Sequence, residues 1–210
     1  MGKISTGTIA GLFTGLPSYF VLPLAPKLTK KFGLRTLGAG SYIFCGVSYL
    51  VMWLIGYNPT GNKLIDTVWI IFALTVCGSL NSIQRYCSTA LKGDVYDYVE
   101  WKSGIRNEGT ITAAMGYITL LSNQVATVLS GLVINALHYK PLLNANGVII
   151  PQTNSKMLSG IWMIFALAPA IGRIMEGVSV LLFNVHGKTR DTMMYELAKI
   201  RAAKVIDTQA

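Results

Sequence analysis

The sequence predicts an all-α, polytopic membrane protein of five transmembrane helices. Of 210 residues, 52% are hydrophobic and only 13% charged, with a mean hydropathy of +0.48; soluble domains carry about 25% charged residues. The apolar residues stand in five long blocks, about 5–25, 37–57, 66–91, 110–138 and 157–184. Each matches the roughly 20 residues that a helix needs to cross a bilayer. The basic residues, in turn, gather in alternate connections. A barrel would need short strands with alternating faces, and no such alternation runs through the blocks.

The first block, 5–25, opens "GTIAGLFTG", with Gly7, Gly11 and Gly15 four apart on one helical ridge. Small residues at that spacing let helices approach closely in lipid. Pro17, Pro23 and Pro26 are expected to bend or end this helix, because proline removes a backbone donor. A short basic connection, "PKLTKKFGLRT", leads to the second span, which ends near the turn-forming "GYNPTGN". The third span, 66–91, is the most polar, with Ser79, Asn81, Ser82, Gln84, Arg85 and Ser88 in its second half. The fourth, 110–138, and fifth, 157–184, flank the longest connection. Residues 1–184 thus form one transmembrane bundle. Residues 185–210 form a tail that reads as a helix of mixed charge, with Met193, Met194, Leu197 and Ile200 as a stripe for the membrane surface or a partner, or simply as a solvated tail.

A net charge of +9 could point to nucleic acid, but its placement argues for topology. Lys27, Lys30, Lys31 and Arg35 follow the first span. Arg85, Lys92, Lys102 and Arg106 accompany the third connection, and Lys188, Arg190, Lys199, Arg201 and Lys204 lie in the tail. The alternate segments hold only Lys3, Lys63, Lys140 and Lys156. Because basic residues stay cytoplasmic, the expected orientation has the N-terminus outside and the tail inside the cell membrane, with no nucleic-acid partner. A cleaved signal peptide is not expected, since its charge should precede the apolar core and a small-residue cleavage site should follow. Cys45, Cys77 and Cys87 lack paired metal spacings. His138 and His186 fall at opposite membrane faces, so no metal site and no cofactor are expected.

One stretch breaks the apolar pattern. "GDVYDYVEWKSGIRNEG", residues 93–109, holds Asp94, Asp97, Glu100 and Glu108 together with Lys102 and Arg106. If helical, Asp94, Asp97 and Glu100 fall near one face. An acid–base pair would need a nucleophile or metal ligand beside it, and none accompanies it, so no enzyme is expected. A solvated loop and an ionic latch closing against another helix bundle remain.

This stretch resembles the signature before the eleventh helix of the glycoside–pentoside–hexuronide:cation symporters, a family of the major facilitator superfamily. Asp94, Asp97, Tyr98, Glu100, Trp101, Lys102, Arg106 and Glu108 fill its pattern. The connection "PKLTKKFGLR" and the tail "GKTRDTMMYEL" are similar to further family segments. The resemblance implies that the five spans correspond to helices eight to twelve, and that the chain looks like the C-terminal half of a cation-coupled sugar or glycoside symporter working by alternating access. Seven helices of an N-terminal half would then be its partner, whether the chain is a truncated frame or a piece of a split carrier. The coupling cation, sodium or proton, would sit in that other half. A non-transporting membrane partner of a full-length carrier is the alternative.

The resemblance makes Asp94, Asp97, Glu100, Lys102, Arg106 and Glu108 the expected cytoplasmic latch, with Arg85 and Gln124 candidates for the substrate cavity. Two positions depart from the family pattern. Leu120 stands where relatives often carry a lysine, and Arg85 stands where a sugar-binding aromatic is common. Arg85 either holds a substrate carboxylate, as a hexuronide would offer, or snorkels to the cytoplasmic side and joins the latch. Arg173 and Glu176, three apart, are expected to pair, with a transport role the other reading.

Overall fold

The structure, a computed structural model, describes the backbone of residues 6–138, 142–143, 149–150 and 154–209, and the side chains of residues 11, 15–138 and 154–202. Helix α1, Thr6–Val21, runs through Pro17 and passes by a 3-10 turn, Leu22–Leu24, into the short α2, Ala25–Phe32. Pro23 and Pro26 sit at the first turns of these two segments, where no intrahelical N–H is needed. Gly33 then ends α2: its φ of 80° suits glycine, and its N–H reaches the Thr29 carbonyl at 2.9 Å. Helix α3 spans Leu34–Ile55 and α4 spans Lys63–Gly78. The side chain of Asn62 caps α4, accepting from the Leu64 N–H at 3.1 Å.

The expected third span, 66–91, is not one helix. It breaks at Ser79 and Leu80, where the Ser79 hydroxyl and N–H both turn back to the Val76 carbonyl, at 2.7 and 3.3 Å. That bonding tightens the last turn of α4 and competes with continuation of the helix. Helix α5 restarts at Asn81 and runs to Ser103, so most of the charged stretch expected as a connection is helical. Gly104, at φ 70°, closes α5 by donating to the Glu100 carbonyl at 2.8 Å. Helix α6 covers Glu108–Ala136, α7 covers Ser155–Leu182 and α8 covers Gly187–Gln209. Between α6 and α7, Leu142–Leu143 (β1) and Ile149–Ile150 (β2) pair antiparallel, Leu142 opposite Ile150, which leaves the fold class all-α.

Among the described residues, four helical stretches are long and apolar enough to cross a membrane: Leu34–Ile55, the joined Lys63–Ser103, Glu108–Ala136 and Ser155–Leu182. The first of the five expected spans appears as α1, whose 16 residues give about 24 Å of helix.

The bundle is organised on α3 and α7, which cross most closely. A Cβ added at Gly46 would lie 2.7 Å from Ile174 Cγ1 and 2.9 Å from the Ala170 carbonyl oxygen; one at Gly177 would lie 2.7 Å from Ile43 Cγ1. Of the expected ridge of α1, Gly11 and Gly15 make no such approach, for a Cβ at either meets open space; Gly7 lies outside the residues whose side chains are described. Met52, Ala73 and Ala166 form one apolar core, walled by Trp53, Trp69 and Trp162. Ala25, Ile83 and Cys87 form another, where α2, α3 and α5 meet. Helix α6 is exposed along almost its whole length. It touches the rest near its ends, through Tyr96 Oη and Thr112 Oγ1 at 2.9 Å and through Leu137 against Gly160.

Candidate substrate cleft and charge cluster

Helix α5 carries two polar faces that serve different ends of the bundle. Asn81, Arg85, Ser88, Thr89 and Lys92 recur at helical spacing and line a cleft of about 380 Å³ with Gln84, Tyr42 of α3 and Arg173 of α7. The wall is anchored from behind. Gln84, only 3% exposed, donates through Nε2 to the Ser41 carbonyl at 3.0 Å, and Cys45 Sγ donates to the Cys77 carbonyl at 2.9 Å. A Cβ at Gly38 would reach Cys87 Cβ at 3.2 Å, so α3 and α5 sit close together at this level. Arg173 pairs with Glu176 at 2.9 Å and lies 5.9 Å from the centroid of the Tyr42 ring.

Arg85 therefore reaches the cleft, and its guanidinium forms no ion pair among the described residues. Gln124 does not reach it; it lies exposed on α6 and is absent from the cleft walls. Sequence reasoning overlooked Tyr42, Thr89 and Lys92 as wall residues. The i, i+4, i+7, i+11 stripe from Asn81 to Lys92 was the signal that could have found the last.

The C-terminal part of α5 meets the tail. Asp94 and Glu100 are 4% and 3% exposed, yet each has an arginine. Arg190 Nε donates to Asp94 Oδ1 at 2.9 Å. Arg201 Nη2 donates to Asp97 Oδ1 at 2.7 Å and to Glu100 Oε2 at 2.5 Å. Hydrogen bonding to Glu100, and then to Asp97, holds the Arg201 guanidinium well above its usual range. Trp101 Nε1 adds a bond to Glu196 Oε2 at 2.5 Å. Between these polar contacts, Met193 and Leu197 are buried with Val185 against Trp101 and Phe183. Arg106 stays local: it pairs with Glu108 and stands 3.8 Å from Glu100. Lys102 joins no carboxylate among the described residues; its Nζ lies 4.2 Å above the Trp101 ring.

The acidic row is thus brought together with partners that sequence reasoning did not name, Arg190 and Arg201. They lie eleven residues apart, three helical turns, with Met193 and Leu197 on the same side. Nearby, Arg35 of α3 ties the start of α8 to the end of α7, through the His186 ring at 2.7 Å and the Leu181 carbonyl. A cation placed there also faces the negative end of the α7 dipole.

The family model for MFS/sugar transport proteins matches residues 1–186, most of the chain. The chain belongs to the MFS sugar-transport family. That family is one of transporters rather than enzymes. The chain is 23% identical over 198 residues to an isoprimeverose transporter of Lactiplantibacillus pentosus, covering 93% of this chain and 38% of the relative. It is 30% identical over 154 residues to an uncharacterized symporter, YjmB, of Bacillus subtilis, covering 73% of this chain and 30% of the relative. A putative sulfoquinovose importer of Salmonella typhimurium is 27% identical over 118 residues, or 56% of this chain and 23% of the relative. The MFS chain therefore spans less than two fifths of the length of these relatives. No solved structure matches it.

Proposed function

We propose that the chain is the C-terminal part of a cation-coupled sugar or glycoside symporter that works by alternating access. The observation that carries this reading is the polar cleft on α5: an MFS sugar-transport bundle presents hydroxyl, amide and cationic groups within otherwise apolar helices. Substrate sites of such carriers lie between two bundles near the bilayer midplane, often where a helix is discontinuous. The break at Ser79 and Leu80 sits at the head of the cleft-lining helix. The partner is an N-terminal half, with the sodium or proton site in it, and the setting is the plasma membrane with N-terminus outside and C-terminus cytoplasmic. Hexuronides stand among the cargoes, in line with the sulfonated sugar in the name of one relative.

The α5–α8 charge cluster then lies at the cytoplasmic end. In this reading it is a latch whose arginines belong to the tail, and α8 holds the acidic row until the bundles rearrange. Uptake of labelled sugars into cells tests the function. The chain alone should insert and move nothing, because alternating access needs both bundles. Together with its complementary half it should support saturable, ion-dependent uptake. Such uptake by the purified chain alone would sink the half-carrier reading.

A further inference from the structure

We propose that the groove between α2, α3 and the start of α5 seats one anionic phospholipid, with an acyl chain along α3 and its phosphate at the lysines of α2. The groove, about 350 Å³, is walled by Leu28, Phe32, Leu37, Phe44, Leu80 and Ile83, and no charged side chain among the described residues lines it. Gly40 leaves its floor open, for a Cβ there would meet nothing within 4 Å. The Ser41 hydroxyl beside it is already spent on the Gly38 carbonyl at 2.7 Å. From Thr36 to Phe44 the groove follows eight residues of α3, about 12 Å of helix. That is close to half of a hydrocarbon core about 30 Å thick, the depth that one chain of one leaflet fills.

The charge beside the groove selects the occupant. Phe32, 51% exposed, forms its end, and Lys31 Nζ lies 5.3 Å from the centroid of that ring. Lys27 stands four residues before Lys31 on the same face of α2. Lys30 adds a third cation, and no acidic residue precedes Asp66 in the chain. A short amphipathic helix with lysines beside apolar and aromatic residues suits the headgroup boundary, where a basic cluster next to a membrane span attracts anionic lipid. The groove also turns away from the substrate cleft. Gly40 and Phe44 each stand two residues from Tyr42, and Ile83 stands two residues from Asn81 and from Arg85. Two residues turn a helix by about 200°, so the cleft and the groove open on opposite sides of α3 and α5. A partner bundle that closes over the cleft therefore leaves the groove to the membrane.

The test is native mass spectrometry of the full chain, released from detergent micelles after incubation with phosphatidylglycerol or with phosphatidylcholine of the same acyl chains. One phosphatidylglycerol should stay on each chain, favoured over phosphatidylcholine by about fivefold or more, the scale of a single lysine at an anionic surface. Lys27→Gln together with Lys31→Gln should bring that ratio close to one. Lys188→Gln together with Lys199→Gln, the same loss of charge in the tail, should keep it. Gly40→Leu should fill the floor of the groove and lower the retention of both lipids, with unchanged elution on size exclusion. Equal retention of the two lipids by the unmodified chain would overturn the anionic headgroup. A preference that survives the α2 pair, or that falls equally with the tail pair, would overturn the assignment to α2. Undiminished retention in Gly40→Leu would overturn the groove as the seat of the acyl chain. Adding the complementary half should leave the lipid in place. Its displacement by that half, or a dimer of the chain that carries no lipid, would give the groove to protein and overturn the proposal.

Discussion

Glu100 and Asp94 are the most enclosed carboxylates of α5, and both rely on arginines contributed by α8. Removing one partner of a fully buried pair costs about 3–5 kcal/mol, whereas an exposed pair is worth about 0–1 kcal/mol. Arg201 is 37% exposed at its side chain, so solvent screens it and an intermediate loss of about 1–3 kcal/mol is expected for Arg201→Gln. A lower melting midpoint and faster proteolysis within α8 would show it. Glu100→Gln in the Arg201→Gln background should recover part of the loss, since the buried Glu100 charge is then removed and only the more exposed Asp97 lacks its arginine. An unchanged midpoint in Arg201→Gln would make the contact ornamental. The three-residue spacing of Asp94, Asp97 and Glu100 was legible in the sequence. Their partners were not, because contact across about a hundred residues leaves no local pattern.

At the scale of elements, the close crossing of α3 and α7 depends on Gly46 and Gly177. Overpacking a filled contact costs about 1–3 kcal/mol, so Gly46→Val or Gly177→Val should reduce the yield of folded protein and its melting midpoint in detergent. Gly11→Ala and Gly15→Ala, which meet open space, should behave like the unmodified chain. A reversal of this order would place the helix contact on α1 after all. The sequence pattern favoured α1 because its glycines are evenly spaced. A spacing rule shows that a close approach is possible, while the facing helix decides whether it occurs: Gly46 meets Ala170 and Ile174, and Gly177 meets Ala39 and Ile43. The same holds for the tail. Of its apolar stripe, Met193 and Leu197 are buried while Met194 is 40% exposed, so the partner-facing side is narrower than composition alone indicates.

For the whole molecule, the distribution of basic residues predicts that the α2 connection and the α5–α8 end lie on one side of the bilayer. Single cysteines at Asn62 and Asn146 should react with an impermeant thiol reagent added outside intact cells. Cysteines at Thr29 and Ser103 should react only after permeabilisation. The native Cys45, Cys77 and Cys87 are buried, which keeps the background low. Outside labelling at Ser103 would invert the topology and remove the proposed cytoplasmic latch. The long exposed face of α6 fits the same picture, since an apolar helix attached mainly at its ends has lipid or another bundle as its natural cover.

Hydropathy alone determined that this chain is a helical membrane protein, because the demand for internally satisfied backbone hydrogen bonds in lipid admits few alternatives. The order of charged and aromatic residues at 93–109 likewise pointed to a sugar-transport family by itself. Tertiary structure alone decided where the third span breaks, since Ser79 bonding back to Val76 is one of several options open to a serine in a helix. It also decided that Arg85, Lys92 and Arg173 share one cleft while Gln124 stands outside it, and that the acidic row of α5 closes on α8. These outcomes depend on helices packing across long stretches of sequence, and side-chain spacing within one helix carries no information about which neighbour it will face.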